Sequence, residues 1–272
     1  MSKTKKAVIL ARGLGTRMRK SSGDAKMSDE QASVAAKGIK ALIPIKRPFL
    51  DYVMHNLIEA GFTDVCLVIG DEHQAIRDYY GRDAGLSKIR VHYAVQKEPK
   101  GTADAVAAAE EFAGDDSFIV INSDNYYPLD GFKALNSDDG TGLVAYDKQV
   151  MIEESNVAVE RLMGYAIVET DANGSMVAIH EKPSQEVMDS FGKHALLSMN
   201  CWRFTKSIFE ACRNISPSPR GEYEITDAVN YDILKLGKSY HVYGCTQPVL
   251  DLSCQDDIAS VAEHIGDLEV SL

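Results

Sequence analysis

Three short runs carry no alternation of polar and apolar residues: Ala7-Val8-Ile9-Leu10, Val65-Cys66-Leu67-Val68-Ile69 and Phe118-Ile119-Val120-Ile121. A strand with one wet face alternates, whereas a strand apolar throughout is covered on both faces, as in a parallel sheet clothed by helices. The intervening segments supply those helices. From Pro48 to Ala60 the residues Phe49, Leu50, Val53, Met54, Leu57 and Ile58 recur at helical spacing, and Gly61 stops the run. A helix near His73 to Tyr80, a strand near Ile89 to Val95 and a helix from Thr102 to Phe112 continue the alternation. The pattern predicts an α/β chain: a mostly parallel, Rossmann-like sheet with right-handed crossovers and helices on both faces. Ligands of such sheets gather outside the carboxyl ends of the strands.

The first of those ends is Ala11-Arg12-Gly13-Leu14-Gly15-Thr16-Arg17-Met18. Two glycines let the backbone reach left-handed dihedrals and approach a ligand closely, so that consecutive N–H groups point at anionic oxygens. Arg17 adds a permanent charge and a planar donor fork beside that cradle. A dinucleotide fingerprint needs a third glycine where Met18 stands, and a Walker loop needs Gly-Lys followed by Ser or Thr, so neither applies. A phosphate cradle of another type and a plain strand-to-helix turn both stay open at this point.

Arg19 to Lys37 is polar, rich in Ser, Asp, Lys and Ala, and lacks an apolar period, which reads as a long loop, either solvated or a lid. At Gly38-Ile39-Lys40-Ala41-Leu42-Ile43-Pro44-Ile45 the chain turns apolar around one lysine. Burying Lys40 is costly unless it faces an anion, although a lysine snorkelling from the end of a short strand fits the same residues. The third strand ends at Gln96, with Gly101 and Thr102 just beyond; an amide there both donates to and accepts from the edge of a base, and glycine permits close backbone approach. The fourth ends at Asn122-Ser123-Asp124. A carboxylate at the ligand edge of a sheet suits a hard cation such as Mg2+, and the same residue type also serves as a turn or helix cap.

Beyond Thr141 the pattern changes. Gly164 to Glu169 and Met176 to Glu181, joined through Asp171-Ala172-Asn173-Gly174, read as a hairpin. A strand at Leu196 to Phe204 contains Asn200, and helices follow at Lys206 to about Ile215 and Glu224 to Leu236. This half predicts a smaller β-rich layer packed against the sheet edge, the natural place for a second substrate. The division expected is a single domain, 1–272, with parts 1–140 and 141–272. The 29 basic and 40 acidic residues leave a net charge of -11, which disfavours nucleic acid and anionic membranes as partners. Any phosphate must therefore be met by locally placed Lys and Arg. The five cysteines, Cys66, Cys201, Cys212, Cys245 and Cys254, lack metal-type spacing and read as reduced thiols of a cytoplasmic protein. The apolar run after Lys3, Lys5 and Lys6 is too short for a signal or spanning segment.

Taken together, Leu10 to Arg17, Lys40 with Pro44, Gln96 with Gly101-Thr102, Asp124, Glu181-Lys182-Pro183, and Pro217 to Asp227 resemble the sugar-1-phosphate nucleotidyltransferases, with the glucose-1-phosphate thymidylyltransferases and uridylyltransferases as similar members. The resemblance covers almost the whole chain in the family's order. It implies that the main chain around Ala11 and Gly13, with Gln96 and Gly101, holds the base, that Thr102 is also part of the nucleotide site, that Gly15, Thr16 and Arg17 hold the triphosphate, and that Lys40 lies by the α-phosphate. It further implies that Lys182 meets the sugar's phosphate, that Gly164, Glu181 and Asn200 contact the sugar, and that Asp251, in Val249-Leu250-Asp251-Leu252-Ser253, joins Asp124 in holding Mg2+. On this reading 1–140 is the nucleotide-binding part and 141–272 the sugar-phosphate-binding part, with no C-terminal β-helix domain. The implied reaction is attack of a sugar 1-phosphate on a nucleoside triphosphate, UTP or dTTP favoured, releasing pyrophosphate.

The residue types fit that chemistry independently. A sugar phosphate is already an anion, so no general base is required, and none of the seven histidines falls in a motif. The step needs in-line positioning of two mutually repelling anions and cations to neutralise them. Arg12 stands where the family usually has Gly or Ala, Ser123 replaces a common glycine, Ile39 a common proline and Val249 a common tryptophan. Arg12 motivates an alternative, a catalytically silent nucleotide-sugar-binding subunit. A second alternative is a cytidylyltransferase acting on phosphocholine or a similar alcohol phosphate.

Overall fold

The all-apolar runs become neighbours at the centre of one sheet. The computed structural model describes residues 4–20, 27–137 and 140–272. Its first half supplies β1 (Lys6–Leu10), β2 (Asp64–Ile69), β3 (Arg90–Val95), β4 (Phe118–Asn122) and the two-residue β5 (Asn125–Tyr126). The second supplies β6 (Thr141–Asp147), β7 (Ala166–Thr170), β8 (Met176–His180), β9 (Leu196–Phe204), β10 (Tyr240–Cys245) and β11 (Leu250–Asp251). The main sheet runs β10-β6-β9-β4-β1-β2-β3, with β7 attached to β9 and β8 to β7, while β5 and β11 form a separate antiparallel pair. Pairing is parallel between β4 and β1, β1 and β2, β2 and β3, and β10 and β6. Only β9 is antiparallel to both of its main-sheet neighbours, β4 and β6.

The missing polar alternation has a direct cause. Ala7 and Ile9 of β1, with Val65, Leu67 and Ile69 of β2, enter one core beneath the helix Phe49–Glu59. Val8, Cys66 and Val68 point the other way, into a core made with the helices Thr102–Ala107, Ser207–Asn214 and Ile225–Leu236. Successive strand residues alternate between two dry faces, and each large aliphatic side chain so buried contributes about 1.5–3 kcal/mol.

Several local expectations are revised. The second half does not form a layer set against the sheet edge: β6, β9 and β10 extend the same sheet, and the β7–β8 hairpin is what projects from it. Arg19 to Lys37 is not one long loop. Residues 21–26 of it, like Lys3, lie outside the described residues, but Asp29–Lys37 is a helix. Its start carries a capping box in which Ser28 Oγ accepts from the Gln31 N–H at 3.2 Å and Gln31 Oε1 accepts from the Ser28 N–H at 3.0 Å. Only Ala35 of this helix is buried, so caps rather than an apolar face define it. Lys40 opens a tight 3-10 turn, Lys40–Leu42, instead of ending a strand. The helix expected from Thr102 to Phe112 is divided into Thr102–Ala107 and Glu110–Ala113, because the Ala109 N–H bonds the carbonyl of Val106, three residues back, at 3.0 Å.

The helix Gln74–Asp78 runs into a wide turn at Tyr79–Asp83 that places two adjacent tyrosines over a buried carboxylate. Asp51, 0% exposed, accepts from Arg47 Nε at 2.8 Å, Tyr79 Oη at 2.7 Å and Tyr80 Oη at 2.9 Å. Removing the carboxylate strands three donors, so Asp51→Ala is expected to lower unfolding free energy by about 3–5 kcal/mol. A urea titration should show the midpoint falling at unchanged slope; an unmoved midpoint would refute this role for Asp51. No helix among the described residues is long and apolar enough to cross a membrane.

Candidate active site

Two adjoining cavities open at the carboxyl ends of β1, β3 and β4. The larger, about 410 Å³, is lined by Ala11, Gly13, Gly15, Thr16 and Arg17 of the glycine loop, together with Lys40, Gln96, Gly101, Thr102, Asp124 and Asn200. That volume suits a small-molecule ligand. Gly15 is held at φ 60°, and a Cβ there would collide with the backbone of Gly38, which caps the helix Asp29–Lys37. Its bareness therefore locks the loop onto that helix. A Cβ on Gly13, by contrast, would meet nothing within 4 Å, so this residue faces open space.

Gly101 plays a part the sequence did not disclose. At φ 122° its α-carbon lies against the backbone of Tyr223, and a Cβ would strike that backbone. The Tyr223 N–H donates to the Lys100 carbonyl at 2.8 Å, and its carbonyl accepts from the Ala103 N–H at 2.9 Å. Thr102 Oγ1 accepts from the Ile225 N–H at 2.8 Å, pinning the start of the helix Ile225–Leu236 to the cavity wall. The close approach at Gly101 thus docks the segment Pro217 to Asp227 onto the site.

Arg17 lines both cavities, is exposed, and its side chain makes no hydrogen bond or ion pair among the described residues. Lys40 Nζ is 2.7 Å from Asp124 Oδ2, so the lysine does face an anion. Asn200 also reaches both cavities. Between Leu143 and Ala145 the pairing of β6 with β9 shifts register, so that Met199, Asn200 and Cys201 oppose the single residue Val144. In this bulge Asn200 adopts φ 55°, a left-handed conformation that asparagine tolerates and that re-aims its side chain. Tyr127 braces the arrangement: its hydroxyl donates to the Met199 carbonyl at 2.7 Å and accepts from the Asn122 N–H at 3.1 Å.

The smaller cavity, about 140 Å³, lies between Asp124 and Asp251, with Arg17, Tyr165, Asn200 and Ser253 also on its wall. β11 pairs with β5 in the register Asp251 to Asn125, and the Leu252 N–H donates to the Asp124 carbonyl at 2.8 Å, which brings the two aspartates to one place. Asp251 is 4% exposed. Burial first, and then the negative charge of Asp124, raise its pKa, while Arg161 and Ser253 pull it down. Arg161 Nη2 pairs with Asp251 Oδ2 while its Nη1 bonds Asp257 Oδ1 at 2.8 Å. Tyr165 Oη and Ser253 Oγ donate to the Asp251 carboxylate at 2.9 and 2.8 Å. Arg161, Tyr165 and Asp257 were not singled out from the sequence.

Gly164, Glu181 and Lys182 line neither cavity and are exposed on the projecting hairpin or its flanks. Glu181 Oε2 accepts from Thr226 Oγ1 at 3.4 Å, and crowding by protein followed by repulsion from Glu224 raises its pKa. Lys182 adopts φ 44°, an uncommon state for a side chain of this size and one found at functional positions. Among the described residues no three His, Cys, Asp or Glu side chains gather in a way that would cage a metal.

A family model described as nucleotidyl transferase matches residues 6–246. The chain belongs to that family. A glucose-1-phosphate thymidylyltransferase of Streptomyces antibioticus is 30% identical over 227 residues, 83% of this chain and 56% of that protein. The UTP--glucose-1-phosphate uridylyltransferase AglF of Haloferax volcanii is 26% identical over 254 residues, 92% of each chain. The chain spans about half the length of several curated relatives it matches. A UDP-glucose pyrophosphorylase solved with UDP-glucose superimposes with a TM-score of 0.73 at 21% identity, covering 96% of this chain and 97% of that one, and shows the same fold.

The residues at which this chain departs from the family's usual ones fit locally. Arg12 lines the larger cavity but sends Nε to Glu72 Oε1 at 3.2 Å. Its Nη1 is buried and has no partner among the described residues. Ser123 is 8% exposed and donates its N–H to the Leu10 carbonyl at 3.2 Å, while Val249 is fully buried and Ile39 lines the cavity.

Proposed function

We propose that the chain transfers a nucleotidyl group from UTP or dTTP to a sugar 1-phosphate, forming a nucleotide sugar and pyrophosphate in the cytoplasm with the help of Mg2+. The observation that carries this reading is the placement of Arg17: an unpaired guanidinium on the wall of both cavities, beside the Lys40–Asp124 pair. The larger cavity takes the nucleotide and the smaller one the sugar phosphate, with the reacting phosphates meeting between them. Arg17 and Lys40 offset the repulsion between two anions and the charge that builds on the α-phosphate and on the departing pyrophosphate. The nucleophile is a phosphate oxygen already ionised at neutral pH, so no side chain has to take a proton.

Asp124 and Asp251 would hold the metal. Their fit rests on oxygen donors alone, on the raised pKa of Asp251, caused first by burial and then by the charge of Asp124, and on a set of two carboxylates that leaves room for phosphate and water ligands, as Mg2+ prefers. When bound, the ion supplies further positive charge next to the reacting phosphates. Asn200 meets the sugar from the bulge of β9, and Gly164 and Glu181 are assigned to the sugar and Lys182 to its phosphate from beyond the rim of the two cavities; the left-handed backbone of Asn200 and Lys182 supports a functional constraint at both. The names of the relatives, thymidylyltransferase and uridylyltransferase, support the choice of base.

Pyrophosphate release, measured with Mg2+, each of UTP, dTTP, CTP, ATP and GTP, and a panel of sugar 1-phosphates and phosphocholine, tests the reading. Turnover is expected with UTP or dTTP and at least one sugar 1-phosphate. Release with no pair at all would make the chain a silent relative, and release only with CTP and phosphocholine would overturn the sugar assignment.

A further inference from the structure

Gln96 stands at the carboxyl end of β3 on the wall of the larger cavity and is 4% exposed. A side-chain amide has a donor end and an acceptor end, and the end presented to a ligand determines which ligand edge fits. Both partners of Gln96 Nε2 are acceptors: the Gly101 carbonyl at 3.1 Å and Asp104 Oδ2 at 2.8 Å. Turning the amide over would set its oxygen against a carbonyl and a carboxylate, so the neighbours determine its orientation. The other end, Oε1, accepts no hydrogen bond among the described residues and is not sealed from the cavity. Asp104 itself does not line the cavity; it acts on the ligand only through Gln96.

We propose that Asp104 is a positioning residue for base selection: by holding the Gln96 amide donor it turns a carbonyl acceptor toward the base, which selects nucleotides whose ring presents an N–H at that edge. Uracil and thymine do so with N3–H, and guanine with N1–H. Cytosine and adenine present a ring nitrogen lone pair there, and two acceptors face each other. The inference rests on the nucleotidyl-transfer reading for its assignment of the base to the larger cavity.

Equilibrium binding of UTP, dTTP, GTP, CTP and ATP to the wild type and to Asp104→Leu, Asp104→Ala and Asp104→Asn provides the test. The wild type should favour UTP or dTTP over CTP by on the order of 10- to 100-fold, the cost of one mismatched buried hydrogen bond. GTP separates a purine-sized site from a pyrimidine one. In Asp104→Leu and Asp104→Ala the amide is free to turn, so the UTP-to-CTP ratio should fall to within about three-fold, with UTP weakened and CTP strengthened. Asp104→Asn keeps an acceptor oxygen for Gln96 Nε2 and should restore most of the ratio. A uniform loss for all five nucleotides, or an unchanged ratio in both the Leu and the Ala variant, would overturn the proposal, as would a wild type that prefers CTP or ATP. The two readings separate cleanly: a preserved base preference without pyrophosphate release sinks the enzyme and leaves Asp104 its role, whereas pyrophosphate release with an Asp104-independent preference does the reverse.

Discussion

Replacing Arg17 with alanine is expected to lower turnover by on the order of 10² to 10³ while leaving the melting temperature nearly unchanged. Arg17 is exposed and its guanidinium has no ion pair or hydrogen bond among the described residues, so folding gains little from its head group. It lines both cavities, so it is placed where charge develops between two phosphates. Arg17→Lys keeps the charge but loses the planar fork and should recover only part of the rate. The decisive measurement is kcat from pyrophosphate release on protein shown to be folded; an alanine variant with wild-type turnover removes Arg17 from the reaction.

Asp251→Asn is expected to reduce Mg2+-dependent turnover by on the order of 10³, about 4 kcal/mol in transition-state stabilisation. With its oxygen in the place of Asp251 Oδ2 the amide still accepts from Tyr165 Oη and Arg161, its NH2 meets Ser253 Oγ, a hydroxyl that can accept instead of donate, and Arg161 keeps its bond to Asp257, so most of the local packing persists while the negative charge is lost. The measurement that isolates charge from packing is a Mg2+ titration of nucleotide binding followed alongside kcat. The variant should require more Mg2+ for half-saturation than the wild type. Identical Mg2+ dependence in the two proteins would exclude Asp251 as a metal ligand, and a melting temperature lowered without any change in Mg2+ dependence would make it a purely structural partner of Arg161.

Much of the architecture was legible because it is written in local pattern. An apolar run too short for a helix, ended by glycines or by a polar cluster such as Asn122-Ser123-Asp124, reads as a doubly covered strand, and β1, β2 and β4 formed as expected. The helix Asp29–Lys37 lacks an apolar period for an equally local reason: its signal is a capping box, Ser28 with Gln31, and only Ala35 is buried. Gly101 shows a subtler limit. A glycine next to a ligand-facing amide suggests room for the ligand, and here the room is taken by the backbone of Tyr223, a residue more than a hundred positions away.

The sequence by itself determined the covalent order of chemistry along the sheet edge: a glycine loop with Arg17 after the first strand, Gln96 after the third and Asp124 after the fourth, each set by the point where an apolar run stops. Only the tertiary structure decided which charges stand opposite one another. Asp124 meets Lys40 across 84 residues and Asp251 meets Arg161 across 90, while the pairing of β5 with β11 sets the two aspartates side by side, contacts that no local pattern encodes. Backbone dihedrals and turns answer to neighbours in sequence, whereas ion pairs and the polarity of a buried amide answer to neighbours in space, and those exist only once the chain has closed around its two cores.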